Sequence, residues 1–166
     1  MKKREKFSMY RKSVLLLIIV MFLTFIAGCS APSGSRISTE KFISSMEGAG
    51  YDVEDKTEEI KAMREFFAET LETALISVGD EYWYNFFEFV DDRYAKLLFE
   101  STRNTMGYAQ GSILSFHSEI TQENYEMYSF VSEGMYSHLM RVYNVIIFIE
   151  ADSNHRSHIR GVLGSF

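Results

Sequence analysis

The sequence predicts an α+β fold: a single domain with a mostly antiparallel sheet of about four strands and helices packed on one face. Three observations carry that expectation. Tyr82–Val90 and Leu139–Ile149 are long runs of aromatic and β-branched residues, the composition of strands. Gly79-Asp80-Glu81 and Glu133-Gly134 stand beside such runs and read as hairpin turns. Stretches with apolar residues three and four apart, each opened by Ser or Asp, alternate with the strands and read as capped helices.

In chain order, Ser38 can cap a first helix, with Ile37 and Phe42 as the two halves of a hydrophobic staple. Phe42, Met46 and Ala49 repeat at helical spacing, and Gly48 and Gly50 end the element. Tyr51-Asp52-Val53 reads as a short strand. Ile60, Met63, Phe66 and Phe67 fall at helical intervals and predict a second helix over 57–70. Leu75–Val78 and Tyr82–Val90 form a hairpin. Asp91 or Asp92 caps a helix whose inward face is Tyr94, Leu97, Leu98 and Ser101. A looser stretch, 107–124, leads to a strand at Tyr125–Val131 and a long strand at Leu139–Ile149. Asp152 or Ser153 then caps a last helix with Ile159, Val162, Leu163 and Phe166 on one side.

Both long strands are apolar on each side. Trp83, Phe87 and Phe89 alternate with Tyr82, Tyr84 and Phe86, and Val145, Ile147 and Ile149 oppose Met140, Val142, Ile146 and Phe148. Strands of that kind have both faces covered. With helices on one face, the other is aromatic and needs cover from the 107–124 segment or from a partner. Tyr84–Asp92 and Tyr143–Asp152 also look alike, each the second strand of a hairpin running into an acidic helix cap. That reads as a ββα repeat, unless strand-to-helix joints simply share this chemistry.

Ahead of this domain, Met1–Lys12 holds six basic residues and one acidic one, and Val14–Ala27 is apolar except for Thr24. A basic segment followed by a short apolar core is the arrangement of a secretory signal peptide. As a helix the apolar run would reach roughly 21 Å, short of the ~30 Å hydrocarbon core. A permanent span is therefore disfavoured, and the basic flank keeps to the cytoplasmic side. The run closes on Ile26-Ala27-Gly28-Cys29, which resembles the lipobox of bacterial lipoproteins. The resemblance implies cleavage before Cys29, lipid (diacylglycerol and palmitate) on that cysteine, and a place on the extracytoplasmic side of the cell membrane. The chain then divides into a signal peptide (1–28), a lipidated tether (29–36) and one α+β domain (37–166). Beyond residue 29 the likeness is only one of style, to small envelope lipoprotein domains without assigned chemistry. The tether would spread roughly 15 Å from its anchor.

Cys29 is the only cysteine, so once its thiol is modified, internal disulfides, zinc–thiolate sites and cysteine nucleophiles are excluded. Removing residues 1–28, with six basic side chains and one acidic one, turns a net charge of −6 into −11. Such a chain avoids nucleic acid and gains nothing from anionic headgroups.

Four groups of residues invite a chemical reading. Asp152, His155 and His158 stand one turn apart, as metal ligands on a helix do, but a third strong ligand has no evident source. Cap and surface roles account for them better. Asp91 and Asp92, with Glu88, could pair for acid–base work or serve the helix N-terminus. Ser115, His117 and Glu119 hold triad chemistry in a sequence with no Gly-x-Ser-x-Gly elbow. Tyr82, Trp83 and Tyr84, with Tyr108, Tyr125, Tyr128 and Tyr136, suit either a recognition surface or a sheet core.

These readings point to a membrane-anchored extracytoplasmic binding or interaction module, not an enzyme, with no cofactor and no metal. Its partners are the membrane, through lipid on Cys29, and a protein, a small molecule or a second copy of the chain on an aromatic sheet face. The binding residues expected are Tyr82, Trp83 and Tyr84. The alternative is a cell-surface hydrolase, metal-dependent through Asp152, His155 and His158 or carboxylate-dependent through Asp91 and Asp92.

Overall fold

The computed structural model describes residues 36–79, 81–108 and 116–166, except the side chains of 107, 108 and 116. They belong to one compact unit, Gly34–Phe166. The segments expected to be signal peptide, lipobox and tether, up to residue 35, lie outside the described residues.

The elements run α1 (Thr39–Gly48), β1 (Asp52–Asp55), α2 (Thr57–Met63), α3 (Glu65–Thr70), β2 (Leu71–Val78), β3 (Trp83–Phe89) and α4 (Asp92–Tyr108). They continue as β4 (Phe116–Gln122), β5 (Tyr125–Ser132), β6 (Met135–Val142), β7 (Val145–Asp152), a 3-10 turn (Ser153–His155) and α5 (Arg156–Leu163). The strands form one antiparallel sheet in the order β1-β2-β3-β7-β6-β5-β4. It consists of two meanders, β1–β3 and β4–β7, joined where β3 pairs with β7.

Seven strands replace the expected four: the short strand β1 joins the sheet as one edge, and two more strands arise for local reasons. First, the 107–124 stretch continues α4 to Tyr108 and then forms β4. That strand is polar, and its order comes from pairing with β5 along its whole length. Second, the single strand expected over 139–149 is two strands, broken at Tyr143-Asn144. Tyr143 takes φ 55 there, a left-handed conformation costly for a large side chain. Arg141 holds the turn by donating to the Tyr143 carbonyl (3.0 Å) and to the carbonyl of Glu123 in the neighbouring turn (3.1 Å). The same guanidinium pairs with buried Glu126. Because the chain reverses, Met140 and Val142 share a face with Val145, Ile147 and Ile149 instead of opposing them. In addition, β2 begins earlier than expected, at Leu71, where a bulge sets Leu71 opposite Phe89 and Thr73 opposite Glu88. The extra residue moves Leu71 to the other face, into the cluster that holds Phe89.

The helices cover both faces, not one. On one face Phe42 and Met46 of α1 and Ile159 of α5 pack with Tyr84, Phe86 and Ile147. On the other, Ala95 and Phe99 of α4 pack on Leu139, Ile146, Tyr128 and Phe130, with Ile60 of α2 and Phe67 of α3 alongside. The aromatic face thus receives its cover from this chain. The inward side of α4 is Ala95 and Phe99, flanked by Tyr94 and Leu98, while Leu97 is exposed. The helix expected over 57–70 breaks at Arg64, which is extended (φ −151, ψ 135). The break lets Phe67 stack on Phe87 at 6.4 Å and feeds α3 directly into β2. The ββα likeness is no repeat. α4 and α5 follow their hairpins onto opposite faces, and Tyr143, matched in sequence to mid-strand Tyr84, sits in a turn.

The first helix forms as its sequence dictates. Ser38 accepts from the Lys41 amide (3.2 Å), and Ile37 and Phe42 are buried together. Arg36 donates to Asn144 (3.2 Å) and Thr39 to Glu88 (2.7 Å). The chain therefore enters at the sheet end carrying the β6–β7 turn. The β2–β3 hairpin and the end of β7 lie at the opposite end.

Candidate functional site

Three connections meet at that opposite end and enclose a cleft of about 600 Å³. The first follows α1. Gly50, at φ 87, closes the helix; its amide bonds to Glu47 and the Tyr51 amide to Met46, both at 3.0 Å. This is the paired bonding of a Schellman motif, and it folds Tyr51 back against the sheet. The second is the β2–β3 hairpin, where the Gly79 amide bonds to the Tyr82 carbonyl (3.1 Å). A β-carbon on Gly79 would stand 2.5 Å from the Tyr51 ring, so only glycine admits that ring. The third is the 3-10 turn after β7. Asp152 caps it by accepting from the Asn154 amide (2.9 Å), and His155 and His158 follow on one side.

The polar groups form a trio centred on Tyr51 and a separate pair. The Tyr51 hydroxyl lies 3.0 Å from the Tyr82 hydroxyl and 3.1 Å from His158 Nε2. His155 Nε2 lies 3.1 Å from Glu81 Oε2. The Tyr82 ring is 5.0 Å from the His155 ring, 6.5 Å from that of His158 and 6.3 Å from that of Tyr51. Tyr84 closes the floor, its ring edge-on to Tyr51 at 5.3 Å. Its hydroxyl is fully buried without a well-formed hydrogen bond. Burial first, and the Tyr51 hydroxyl second, push both the Tyr82 and Tyr84 phenols well above the usual range. They are neutral donors at any physiological pH.

Strand alternation separates the three expected binding residues. Tyr82 lines the cleft, Tyr84 lies beneath it, and Trp83, 54% exposed, projects from the opposite face beside Val78. Tyr125, Tyr128 and Tyr136 are buried in the sheet; the Tyr108 side chain lies outside the described residues. Asp152, His155 and His158 have separate partners: an amide, Glu81 and Tyr51. Among the described residues no group of three or more His, Cys, Asp or Glu could hold a metal ion.

The other candidate groups do not converge. Asp91 caps α4 and is chelated by Arg93, whose Nε and amide both donate to Oδ1 at 2.9 Å. The Arg93 side chain and then its amide hold the Asp91 carboxyl down at about 2. Glu88 accepts from Thr39, away from it. His117, Ser118 and Glu119 alternate along the edge strand β4, so the serine faces away from the other two; Ser115 lies outside the described residues.

Tyr51, Asp52, Gly79 and Glu81 were not singled out by sequence. The only local signal was the helix stop Gly48-Ala49-Gly50 followed by an aromatic residue. A further buried histidine, His138 on β6, lies outside the cleft. Its Nδ1 is 3.0 Å from the Tyr136 hydroxyl and its Nε2 has no partner. Burial, then the charge of Arg160, lowers its pKa to about 4. No protein-family model, curated protein or solved structure matches the chain.

Proposed function

We propose that this chain is a lipid-anchored extracytoplasmic lipoprotein whose folded domain is a non-enzymatic binding module, with the cleft between α1, the β2–β3 hairpin and α5 as its ligand site. The observation that carries the reading is the cleft itself. It falls in the size range of small-molecule sites, and its polar side chains are tied to one another and to a buried aromatic floor. Preorganisation of that kind serves recognition by lowering the ordering cost of binding. Among the described lining residues there is no serine, threonine, cysteine or lysine to act as a nucleophile.

The anchor reading rests on Ile26–Cys29 and the segments before it. Arg36, the first described residue, lies at the end of the sheet remote from the cleft.

Labelling with radioactive palmitate, followed by fractionation, tests the anchor. The wild-type chain is expected in the membrane fraction with label, and Cys29→Ser without label. Equal labelling of the variant refutes it. The cleft is tested by ligand-observed NMR on residues 34–166, a unit whose own helices close both sheet faces. A mixed panel of amines, amino acids, sugars and carboxylates is screened against wild type, Tyr82→Leu and Trp83→Ser. Retention by wild type and Trp83→Ser with loss in Tyr82→Leu supports the reading. No retention, or retention indifferent to Tyr82, overturns it.

A further inference from the structure

Resting on the reading of the cleft as a ligand site, we infer that its ligand is an organic ammonium ion, held over the Tyr51 and Tyr82 rings beside the carboxylates of Asp52 and Glu81. Four observations point the same way. The cleft is lined by Asp52 and Glu81 and by no lysine or arginine. Neither carboxylate is neutralised: among the described residues no lysine or arginine lies within ion-pair distance of either, and the contact of Glu81 is with the His155 ring.

The arginines of α5 do not line the cleft. Arg156 lies over the Tyr136 ring at 5.7 Å, and Arg160 acts on His138 and Tyr136, in the sheet. The third observation concerns the helix termini. Ala49 and Gly50 place the C-terminal end of α1 on the cleft wall, and its last turn carries no basic residue. Carbonyls at a helix C-terminus favour a cation there. The amide end of the 3-10 turn, which would draw an anion, is already occupied by Asp152.

Fourth, two aromatic side chains, Tyr51 and Tyr82, line the cleft. A cation within about 6 Å of a tyrosine centroid is attracted by the ring quadrupole, most strongly for a desolvated ligand. A phosphate or carboxylate would instead meet the carboxylates of Asp52 and Glu81, in a domain whose residues 36–166 carry 22 acidic and 11 basic side chains.

Isothermal titration of residues 34–166 with three probes of matched shape decides the matter: choline, its neutral isostere 3,3-dimethylbutan-1-ol, and the anion 3,3-dimethylbutanoate. Choline is expected to bind at least about tenfold more tightly than either isostere. Glu81→Gln and Asp52→Asn, both surface changes that leave the core untouched, are each expected to weaken it about fivefold. Tyr82→Leu should weaken it about tenfold, and the two carboxamide variants keep the test valid if that variant does not fold. If the neutral or anionic isostere binds as well as choline and loses affinity in Tyr82→Leu, the ammonium inference is overturned and the cleft stands as a ligand site. If choline binds with an affinity indifferent to all three substitutions, both readings fall. If none of the three probes binds, the ammonium inference is overturned, and the mixed panel judges the cleft.

Discussion

His138 gives this fold a calculable dependence on pH. It is buried on β6 with one ring nitrogen unpartnered, and its folded-state pKa is about 4 against an ordinary 6.5. The folded value is the lower one, so as pH falls the unfolded chain takes up the proton first. The histidine costs nothing above its ordinary pKa, and stability is lost as pH falls through 6.5 toward 4. Linkage makes the loss between pH 7 and pH 5 about 2 kcal/mol, levelling at about 3 kcal/mol below pH 4. Other groups titrate in the same window, so the informative quantity is a difference of differences. Urea unfolding of residues 34–166 is measured at both pH values for wild type and for His138→Leu, which cannot titrate. Wild type is expected to lose about 2 kcal/mol more than the variant over that interval. Equal losses would refute the argument, since they would mean that His138 protonates as readily in the folded chain as in the unfolded one.

Two further expectations concern the frame of the site. Glu126→Gln leaves the Arg141 guanidinium buried with its two turn carbonyls but without its counter-charge; it should cost about 3 kcal/mol at unchanged m-value, and a loss under about 1 kcal/mol would count against the pair as the staple of those turns. Gly79→Ala drives a β-carbon into the Tyr51 ring; the expected loss is about 1–3 kcal/mol, accompanied by shifted Tyr51 ring and His158 resonances, and unmoved resonances would contradict the packing described.

The helices were largely legible because their signals are local. Ser38 and Asp91 each cap the helix expected of them, Asp152 caps the 3-10 turn before the last helix and not the helix itself, and Ile159 faces the core as its spacing predicts. The sheet was legible only where strands are buried. β4, Phe116–Gln122, is a polar edge strand, and nothing within seven residues reveals the partner that orders it. The β6–β7 turn was hidden because Tyr143-Asn144 is not a usual turn pair. Arg141 and Arg36 hold it from outside the turn, and Asn144 within it donates to the Phe89 carbonyl at 2.6 Å. The face of α4 was misassigned for a related reason: small Ala95 permits the close approach that turns Leu97 outward.

The site was half legible. Tyr82 and the histidines at 155 and 158 were singled out separately, Tyr82 for recognition and the pair as metal-like. What sequence could not supply is their convergence, which depends on β3 lying beside β7, 60 residues later in the chain. Nor could it show that Tyr51, released by the Gly50 stop, reaches both of them through its hydroxyl. Period-two alternation did separate Trp83 from its neighbours, but only the fold shows that the helices covering Phe87 and Phe89 on its face leave Trp83 itself exposed.

The claim that the cleft is the working site is tested most directly by chemical-shift mapping. Labelled residues 34–166 are titrated with choline and its two isosteres while the backbone amides, the histidine rings and the Trp83 indole are followed. Ligand is expected to shift the amides of Gly50, Gly79 and Glu81 and the rings of His155 and His158, and to leave the Trp83 indole in place. Shifts gathered around the Trp83 indole and the outer face of β2 and β3, or along β4, would contradict it.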